Sequence, residues 1–409
     1  MEWLTIIYYF FTFFAMYFLL LFVLIYFKNE KKIFLDPKYT KVRSLSIVVP
    51  CYNEEKTIGN TIEKLLASDY PGLEKIVVVD DCSKDNSYSK IKKYEKKYPT
   101  KVMALQTPKN TGKAAGSKNY GAKFVNTELI GFSDSDSVCE KNAISNMIGY
   151  LEDEKVAGVT SRVYVQNTKN ILEKMQSVEY KTIAFTRKIM EFIDSIYVTN
   201  GPLSIYKKSV FDKINGFDES NLTEDIELTW HIVNFGYNVK MAMNAIVYTE
   251  VPRTLKVWFK QRIRWSIGGM QTTKQYTPKR KATGILGKFI IPYFILGWAI
   301  GIAGLFILLY RGSRYIFSKL MITKLSIESQ VALITWKDLM ISPTVLLFLG
   351  IFLFIVGVLF LFLSLVYCRE DNVNYTIFEM LIYSFFYVLV YPPILIISVV
   401  KYLRGYNTW

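Results

Sequence analysis

The sequence predicts a mixed α/β domain, built on a mostly parallel sheet, between α-helices that span a membrane. Two patterns predict this fold class. Short β-rich segments alternate with helical ones from about residue 44 to residue 250, which is typical of a parallel sheet covered by helices. Long apolar runs flank this region on both sides, and about 20 such residues suffice to cross a bilayer.

The overall composition favours a membrane protein with a basic cytosolic side. The 409 residues include 50 Lys and Arg against 35 Asp and Glu, with a net charge of +15, and 51% are hydrophobic. A basic balance alone would allow nucleic-acid binding. The apolar residues are too many and too clustered for that class, so we expect no nucleic-acid partner. Lys and Arg beside apolar spans are typical of cytosolic loops.

The cysteines and the single histidine exclude several kinds of site. Cys51, Cys82, Cys139 and Cys368 form no CxxC pair and have no metal-ligand spacing. This argues against a disulfide framework or a zinc site and fits a reducing compartment. A His-based catalytic triad is excluded too, because the one histidine, His231, lies in a helical pattern. We interpret it as structural.

Residues 1–28 are predicted to form an N-terminal transmembrane helix. Residues 4–27 are apolar and uncharged. A signal peptide would instead combine a basic start, a shorter apolar core and a small-residue cleavage site, and none of these is visible. Six Lys and Arg residues follow between positions 28 and 43. The positive-inside rule therefore places the next domain, residues 29–250, in the cytosol.

This domain contains four predicted strands, each followed by a polar loop or a helix. The strands are 44–49, 75–79, 102–105 and 129–132, and the helices between them are 55–67, 86–97 and 113–125. Polar clusters follow three of the strands at positions 50–54, 80–81 and 134–136. Ligands of such sheets bind at the carboxyl ends of the strands. Three clusters at three strand ends therefore predict a binding site there.

Further along the chain, two loops and a helix start carry polar residues. A partly apolar helix is predicted from about 171 to 196, and Gly201 and Pro202 follow it in the sequence TNGPL. Thr223 then precedes Glu224 and Asp225 at the start of a helix that runs to residue 234. Threonine is a common N-cap, and acidic residues stabilise the first turn. A purely structural role for this triplet is the alternative to a catalytic one.

Residues 251–285 are predicted to form amphipathic helices at the membrane interface. Within them, TLKVWFKQRIRWSIGG combines basic and aromatic residues, which suits a lipid surface. Gln261, Arg264 and Trp265 stand in a QxxRW spacing. Arg has a planar fork for phosphate oxygens, and Trp has a flat face for a sugar ring. We expect Lys260 and Arg262 to serve only the membrane surface.

The C-terminal region, residues 286–409, contains three apolar runs that are long enough to span: 286–310, 341–367 and 377–400. Three crossings after a cytosolic domain would leave the tail outside. Lys401, Arg404 and the basic, mixed segment 311–340 instead favour a cytosolic tail. Either 311–340 contains a further crossing or one apparent span is not a simple crossing. We expect a cytosolic C terminus.

Two carboxylate groups suggest the chemistry. Asp134 and Asp136 form a DxD pair at a strand end, where carboxylates can hold Mg²⁺ or Mn²⁺ against a diphosphate. A solvated acidic loop is the alternative. Asp225 suits a general base that takes a proton from a sugar hydroxyl, because the chain has only one histidine.

The motifs as an ordered set resemble one enzyme family. PCYNEE, VVVDDCS, NTGKAAGSKN, DSD, NGPLSIYKKS, GFDE, TED and QRIRW resemble the membrane-embedded, processive family 2 glycosyltransferases, which include poly-N-acetylglucosamine, hyaluronan, chitin and cellulose synthases. The resemblance covers about residues 44–270. It implies a cytosolic GT-A (Rossmann-like) domain in an integral, multi-pass protein of the plasma membrane. QRIRWSIGG and RGYNTW look most like poly-β-1,6-N-acetylglucosamine synthases.

The resemblance implies a role for each matching residue. The uridine would be held by Tyr52, Glu54, Asp80 and Asp81, and the rest of the nucleotide sugar by Lys113, Asp134, Gln261 and Arg264. The metal would be held by Asp136 with Asp134. Asp225, beside Glu224, would be the general base, and Trp265, Gly201 and Pro202 would bind the acceptor.

The resemblance implies a processive, inverting β-glycosyltransferase that polymerises sugar from UDP-GlcNAc and extrudes the polymer. Its partners would be the UDP-sugar, the growing polysaccharide and the lipid bilayer, with accessory subunits left open. NGPLSIYKK looks equally like hyaluronan synthases, which use two UDP-sugars. The single N-terminal span favours the resemblance to poly-β-1,6-N-acetylglucosamine synthases, because hyaluronan synthases usually have two. The sequence lacks the FxVTxK gating loop of cellulose synthases after QRIRW. Two alternatives are a non-processive polyprenyl-phosphate transferase and a transporter with a nucleotide-regulated domain, for which Pro343, Pro392 and Pro393 leave room.

Overall fold

A computed structural model describes residues 2–277, 284–330, 345–368 and 375–406. Its centre is an eight-stranded sheet with the order β3-β2-β1-β4-β7-β6-β8-β5. The strands are β1 Leu45–Cys51, β2 Leu73–Asp80, β3 Val102–Gln106, β4 Leu129–Phe132, β5 Val138–Cys139, β6 Val156–Val165, β7 Ser204–Lys207 and β8 Asn238–Thr249. Strands β3, β2, β1 and β4 are parallel, whereas β7 is antiparallel to both β4 and β6.

The four strands that the sequence predicts are all present, and the mostly parallel α/β fold is confirmed. Every residue of β1 is buried, which matches the continuous apolar runs of strands covered on both faces. Strand β1 extends two residues beyond its predicted end because Pro50 and Cys51 still pair with Val79 and Asp80 of β2. The first two polar loops therefore begin side by side.

Helices cover both faces of the sheet. They are α1 Glu2–Asn29, α2 Ile58–Leu66, α3 Ser87–Lys97, α4 Ala114–Ala122, α5 Ala143–Ile148, α6 Ile171–Glu191, α7 Lys208–Lys213, α8 Glu224–Asn234, α9 Leu255–Tyr276, α10 Ile291–Ser329, α11 Val345–Tyr367 and α12 Ile377–Leu403. Helix α4 packs directly on the sheet, because a Cβ on Gly121 would lie 2.6 Å from Val48 and 2.7 Å from Val79. This close approach fixes the loop that precedes α4 at the edge of the sheet.

Two local predictions are refined by the structure. Helix α6 ends at Glu191, five residues before its predicted end, and starts with a capping box between Asn170 and Glu173. Helix α8 begins directly after Thr223, as predicted, but the Thr223 side chain makes no capping hydrogen bond. Its first-turn N–H of Ile226 instead donates to the Asp225 carboxylate at 2.9 Å.

Four helices are long and apolar enough to cross a membrane by length and composition, among the residues that the structure describes. The predicted span 286–310 lies within a longer helical stretch. A π-helical turn at Leu286–Ile290 leads into α10, which continues to Ser329 through much of the mixed segment. Residues 331–344, with Lys337, Pro343 and the start of the predicted span 341–367, lie outside the described residues, as does the end of RGYNTW.

Helix α12 runs alongside α9. Ile394 of α12 shares one buried apolar cluster with Trp258 and Ile263 of α9. At the start of α12, Glu379 forms an ion pair with Lys174 of α6 at 2.8 Å. At its end, Tyr402 lies beneath Lys274 of α9, with 5.9 Å between the ammonium and the ring. The start of α12 therefore contacts α6, and its end contacts α9.

Candidate active site

The loops after β1 and β2 form one hydrogen-bonded unit. The N–H of Asn53 donates to Ser83 Oγ at 2.9 Å, and the N–H of Lys84 donates back to Asn53 Oδ1 at 2.8 Å. Asn53 and Cys82 adopt left-handed backbone conformations, with φ of 57° and 61°. These tight turns leave Tyr52 exposed at the rim and present Glu54 beside it.

The adjacent Asp80 and Asp81 have different surroundings. Both carboxylate oxygens of Asp81 accept hydrogen bonds from the next loop, from Thr107 at 2.7 Å and from Thr111 at 2.8–3.1 Å. Asp80 Oδ2 accepts from Gln106 at 2.9 Å, but its buried Oδ1 has no hydrogen-bond partner in the described part of the chain. Asp81 therefore organises the loop, and an unsatisfied acceptor remains on Asp80, a costly arrangement without a ligand.

The DxD pair lies against the loop that carries Gly201 and Pro202. Ser133 donates to the carbonyl of Pro202 at 2.8 Å. A Cβ on Gly201 would lie 2.5 Å from Asp134 Oδ2, so only glycine lets the loop approach the carboxylate this closely. Burial first, and then the charges of Asp134 and Glu54, raise the pKa of Asp136 to about 7. The two strand-end clusters thus meet at Asp136.

A residue that the sequence analysis did not assign, Lys118, connects the DxD pair to the Thr-Glu-Asp triplet. Its ammonium lies 2.9 Å from Glu224 Oε1 and 3.7 Å from Asp134 Oδ1, and its side chain is 3% exposed. Burial alone would lower the pKa of Lys118, but Glu224 and Asp134 raise it. A signal was present in the sequence, because Lys118 shares the small, apolar face of α4 with Ala115 and Ala122.

The neighbouring acids Glu224 and Asp225 titrate differently. Burial would raise the pKa of Glu224, but Lys118 outweighs this effect and lowers it. Burial and then the charge of Glu224 raise the pKa of Asp225 to about 6. Asp225 is therefore ionised near neutral pH yet basic enough to accept a proton, which suits a general base.

Lys113 and Arg187 contact the site from other elements. Lys113 Nζ donates to the carbonyl of Ser220 at 2.7 Å. The lysine whose ammonium lies beside Asp134 is Lys118. Arg187 of α6, which sequence reasoning missed, is 5% exposed and hydrogen-bonded to Asn200, the residue before Gly201. Burial lowers the pKa of Arg187. The sequence carries no signal that singles it out, because helix α6 also contains Lys174, Lys181 and Lys188.

Of the QxxRW residues on helix α9, Arg264 lies near these carboxylates, whereas Gln261 and Trp265 contact Arg262. Burial raises the pKa of Asp134, and the charges of Lys118 and Arg264 oppose this rise. The charge of Arg264 also adds to the effect of Lys118 in lowering the pKa of Glu224. The expectation that Arg262 serves only the membrane surface is wrong. Arg262 is 1% exposed and ion-paired with Glu179 of α6, and its guanidinium stacks 4.1 Å from the Trp265 ring.

Arg262 also orients Gln261, whose Oε1 accepts a hydrogen bond from it at 2.6 Å. One buried arginine, Arg262, thus contacts both the Gln261 and the Trp265 side chains and fixes their orientation. The Glu179 carboxylate, which pairs with Arg262, also accepts hydrogen bonds from two hydroxyls of α12. Tyr387 donates to it at 2.7 Å and Tyr391 at 2.5 Å.

The site offers a divalent metal two carboxylates. Among the described residues no three His, Cys, Asp or Glu side chains converge. Mg²⁺ and Mn²⁺ are often held by one or two carboxylates together with substrate phosphates. Asp134 and Asp136 fit such a site, because burial and then the charge of Asp134 raise the pKa of Asp136, and a cation between the two carboxylates would stabilise their ionised forms. A diphosphate would supply further ligands.

The carboxylates lie at the carboxyl ends of the parallel strands, where α/β enzymes bind nucleotides. The fold and the site together therefore define a nucleotide-binding α/β enzyme. The family model described as "Glycosyltransferase like family 2" matches residues 43–268. The chain therefore belongs to glycosyltransferase family 2, and the GT-A fold expected from the motifs is confirmed.

Relatives and a solved structure extend this similarity. The chain is 29% identical over 242 residues to the poly-β-1,6-N-acetyl-D-glucosamine synthase of Staphylococcus epidermidis, covering 59% of this chain and 58% of that protein. The enzyme of the same name from Staphylococcus aureus strain COL is 29% identical over 250 residues, 60% of each chain. The mannosyltransferase PcManGT from Pyrobaculum calidifontis, solved with GDP-Man and Mn²⁺, superposes with a TM-score of 0.59 over 97% of this chain and 98% of that chain, at 16% identity.

Proposed function

We propose that the protein is a processive, inverting β-glycosyltransferase of the plasma membrane that polymerises sugar from UDP-GlcNAc and extrudes the polysaccharide. The observation that carries the proposal is the meeting of two carboxylate sets at Lys118, one from the DxD strand end and one from the start of α8. Transfer to an acceptor hydroxyl needs a donor-side charge clamp and an acceptor-side base within one sugar's reach of each other.

The donor would bind along the carboxyl edge of the sheet. The unsatisfied Oδ1 of Asp80 suits an N–H of the uracil, with Tyr52 and Glu54 beside it and Asp81 holding the loop. A Mg²⁺ or Mn²⁺ ion held by Asp134 and Asp136 would neutralise charge on the diphosphate. Arg264 and the amide N–H of Gln261 would complete the diphosphate contacts, with Lys113 at the rim.

The transfer step then uses groups on both sides of the sugar. The acceptor hydroxyl, placed by Trp265, Gly201 and Pro202, gives its proton to Asp225 as its oxygen attacks the anomeric carbon. The bond from that carbon to the diphosphate breaks, and UDP leaves with the electron pair. Attack opposite the leaving group inverts the anomeric centre. Glu224 stays ionised because Lys118 holds it and keeps the local charge balanced.

The identity of the relatives supports a polysaccharide product, because the matched region contains the whole set of motifs. The chain spans about 58% of the length of these curated relatives, so the polymer and the donor are parts of the proposal. The membrane helices beside α9 support extrusion. A cytosolic orientation of the catalytic domain follows from the basic residues after α1.

The test is UDP release by the purified protein with UDP-GlcNAc and Mg²⁺ or Mn²⁺, followed by sizing of the product. We expect a long polymer that contains only N-acetylglucosamine. A requirement for a second UDP-sugar would favour the hyaluronan-synthase-like alternative. A single sugar on a lipid phosphate would favour the non-processive one, and no turnover of any UDP-sugar would refute the proposal.

A further inference from the structure

Two adjacent glycines, Gly268 and Gly269, stand in the middle of α9, one turn after the QxxRW residues. Glycine inside a helix is unfavourable relative to alanine, so each position needs a reason. A Cβ on Gly268 would lie 2.1 Å from Thr223 Oγ1, 2.6 Å from its Cγ2 and 2.8 Å from its Cβ. Among the residues that the structure describes, a Cβ on Gly269 would meet only the ring of Trp298, at 3.5 Å or more, which is ordinary contact.

Thr223 fills the notch that Gly268 leaves in α9. It is the last residue before α8, whose first turn carries Glu224 and Asp225. Its side chain is buried and does not cap α8, although capping is the usual task of threonine at this position. Its backbone N–H and its hydroxyl both donate to Asn221 Oδ1, at 2.9 Å and 3.4 Å. The Thr223 side chain is therefore held between Gly268 and Asn221 and not by the first turn of α8.

Two hydrogen bonds fasten the same loop to the same face of α9. Asn221 Nδ2 donates to Thr272 Oγ1 at 2.9 Å, and the N–H of Leu222 donates to Gln271 Oε1 at 3.0 Å. Positions 268, 271 and 272 are three and four residues apart and so lie on one helical face. Residues 221–223 thus contact α9 through three consecutive positions.

We infer that this face of α9 fixes the position of Asp225, the proposed base, and that Gly268 is a positioning residue for its carboxylate. The inference rests on the proposed function, in which Asp225 takes the acceptor proton. The Cβ of Thr223 is fixed to the backbone and cannot rotate away from a new methyl group, so the start of α8 would have to move. Since Trp265 and Arg264 stand on the same helix, α9 holds the base and the sugar-binding groups in register.

Gly268→Ala and Gly269→Ala form a matched pair, because both gain the same helix propensity at neighbouring positions. We expect Gly268→Ala to lower the transfer rate by about 100-fold, the usual scale for a displacement of about 1 Å in an active site. UDP affinity should stay within about twofold, because the start of α8 is the part that moves, while the uridine groups lie on other elements and Gln261 and Arg264 stay in place with α9. Gly269→Ala should keep the parent rate.

A compensating change separates positioning from general damage. Thr223→Gly removes all three atoms that a Cβ at position 268 would meet, and glycine is tolerated at an N-cap. The double variant Thr223→Gly with Gly268→Ala should transfer sugar at least about ten times faster than Gly268→Ala alone, which recovers a large part of the roughly 100-fold loss. Thr223→Gly alone is the control for the change in the loop.

Hydrogen exchange of the amides from 222 to 230, measured without ligand, gives a readout that does not depend on activity. Exchange should accelerate in Gly268→Ala and stay unchanged in Gly269→Ala. A Gly268→Ala enzyme with parent rate or parent exchange would overturn the inference, as would an equal loss of transfer and UDP binding. If the parent chain turns over no UDP-sugar, the proposed function fails, and exchange alone decides whether Gly268 seats the loop.

Discussion

Individual carboxylates in the candidate site are separated by their surroundings. Glu224 and Asp225 are neighbours in sequence, yet Lys118 lowers the pKa of one while burial and Glu224 raise that of the other to about 6. Two acids with separated pKa values can serve different roles in one reaction. The assignment of the base to Asp225 therefore follows from its environment as well as from the TED motif.

At Asp225, replacement of the carboxylate tests the base directly. We expect Asp225→Asn to lower the transfer rate by about 10²- to 10⁴-fold, the usual contribution of a general base. UDP affinity, measured by calorimetry, should remain close to that of the parent. Thermal stability should not fall, because burial disfavours the charged form of this group. Asp212→Asn, at an exposed pair with Lys208, is the control, and loss of UDP binding in Asp225→Asn would contradict the role.

The raised pKa of Asp225 also predicts a pH dependence. The base must be deprotonated, so with a pKa of about 6 the transfer rate should fall about tenfold per pH unit below pH 6. Removing the negative charge of Glu224 should lower the pKa of Asp225, and Glu224→Gln should therefore move this acid limb to lower pH. The measurement is the rate against pH at saturating donor. A limb that moves upward in the variant would contradict the electrostatic account.

At the scale of elements, α9 is the part that joins the rest. Through Arg262 it contacts Glu179 of α6, and through that carboxylate the tyrosines of α12. Its opposite face seats the loop before α8. The basic residues of α9 thus divide into three groups: Arg262 is buried and fixes the helix, Arg264 is half-buried near the site carboxylates, and the lysines are exposed. No period in the sequence indicates this division.

Breaking the Arg262–Glu179 pair should be costly. Removing one partner of a buried ion pair leaves an uncompensated charge, which typically costs about 3–5 kcal/mol. We therefore expect Glu179→Gln to lower the midpoint of thermal unfolding in detergent clearly. Glu250→Gln, at the exposed pair with Arg253, should change stability by less than about 1 kcal/mol. Equal midpoints for the two variants would show that the buried pair contributes little.

For the whole molecule, the path of α12 suggests an answer to the conflict between the number of apolar spans and the positive charge near the C terminus. This helix of 27 residues is about 40 Å long. Its start contacts α6 and its end contacts α9, so it follows the domain surface. Tyr367 at the end of α11 hydrogen-bonds Tyr26 and Glu30 at the end of α1. We infer that α1, α10 and α11 cross the membrane and that α12 lies along its inner surface.

This arrangement predicts a cytosolic C terminus and places Gln330, directly after α10, on the external side. In a chain whose native cysteines are replaced by serine, Gln330→Cys should react with an impermeant maleimide in intact cells. Arg404→Cys should react only after permeabilisation, because three crossings return the chain to the cytosol. Labelling of Arg404→Cys in intact cells would mean that α12 crosses the membrane.

Local pattern was sufficient for the parallel strands, the apolar helices and the polar clusters at strand ends, because hydrophobic periodicity and strand direction decide these features along the chain. The motif residues at positions 134, 225 and 264 could be named in the same way. Three-dimensional packing alone decided that Lys118 bridges the two carboxylate sets, that Arg262 is buried and that Gly268 receives Thr223. Each of these contacts joins segments far apart in sequence, and their charges and volumes become matched only once the segments fold against each other.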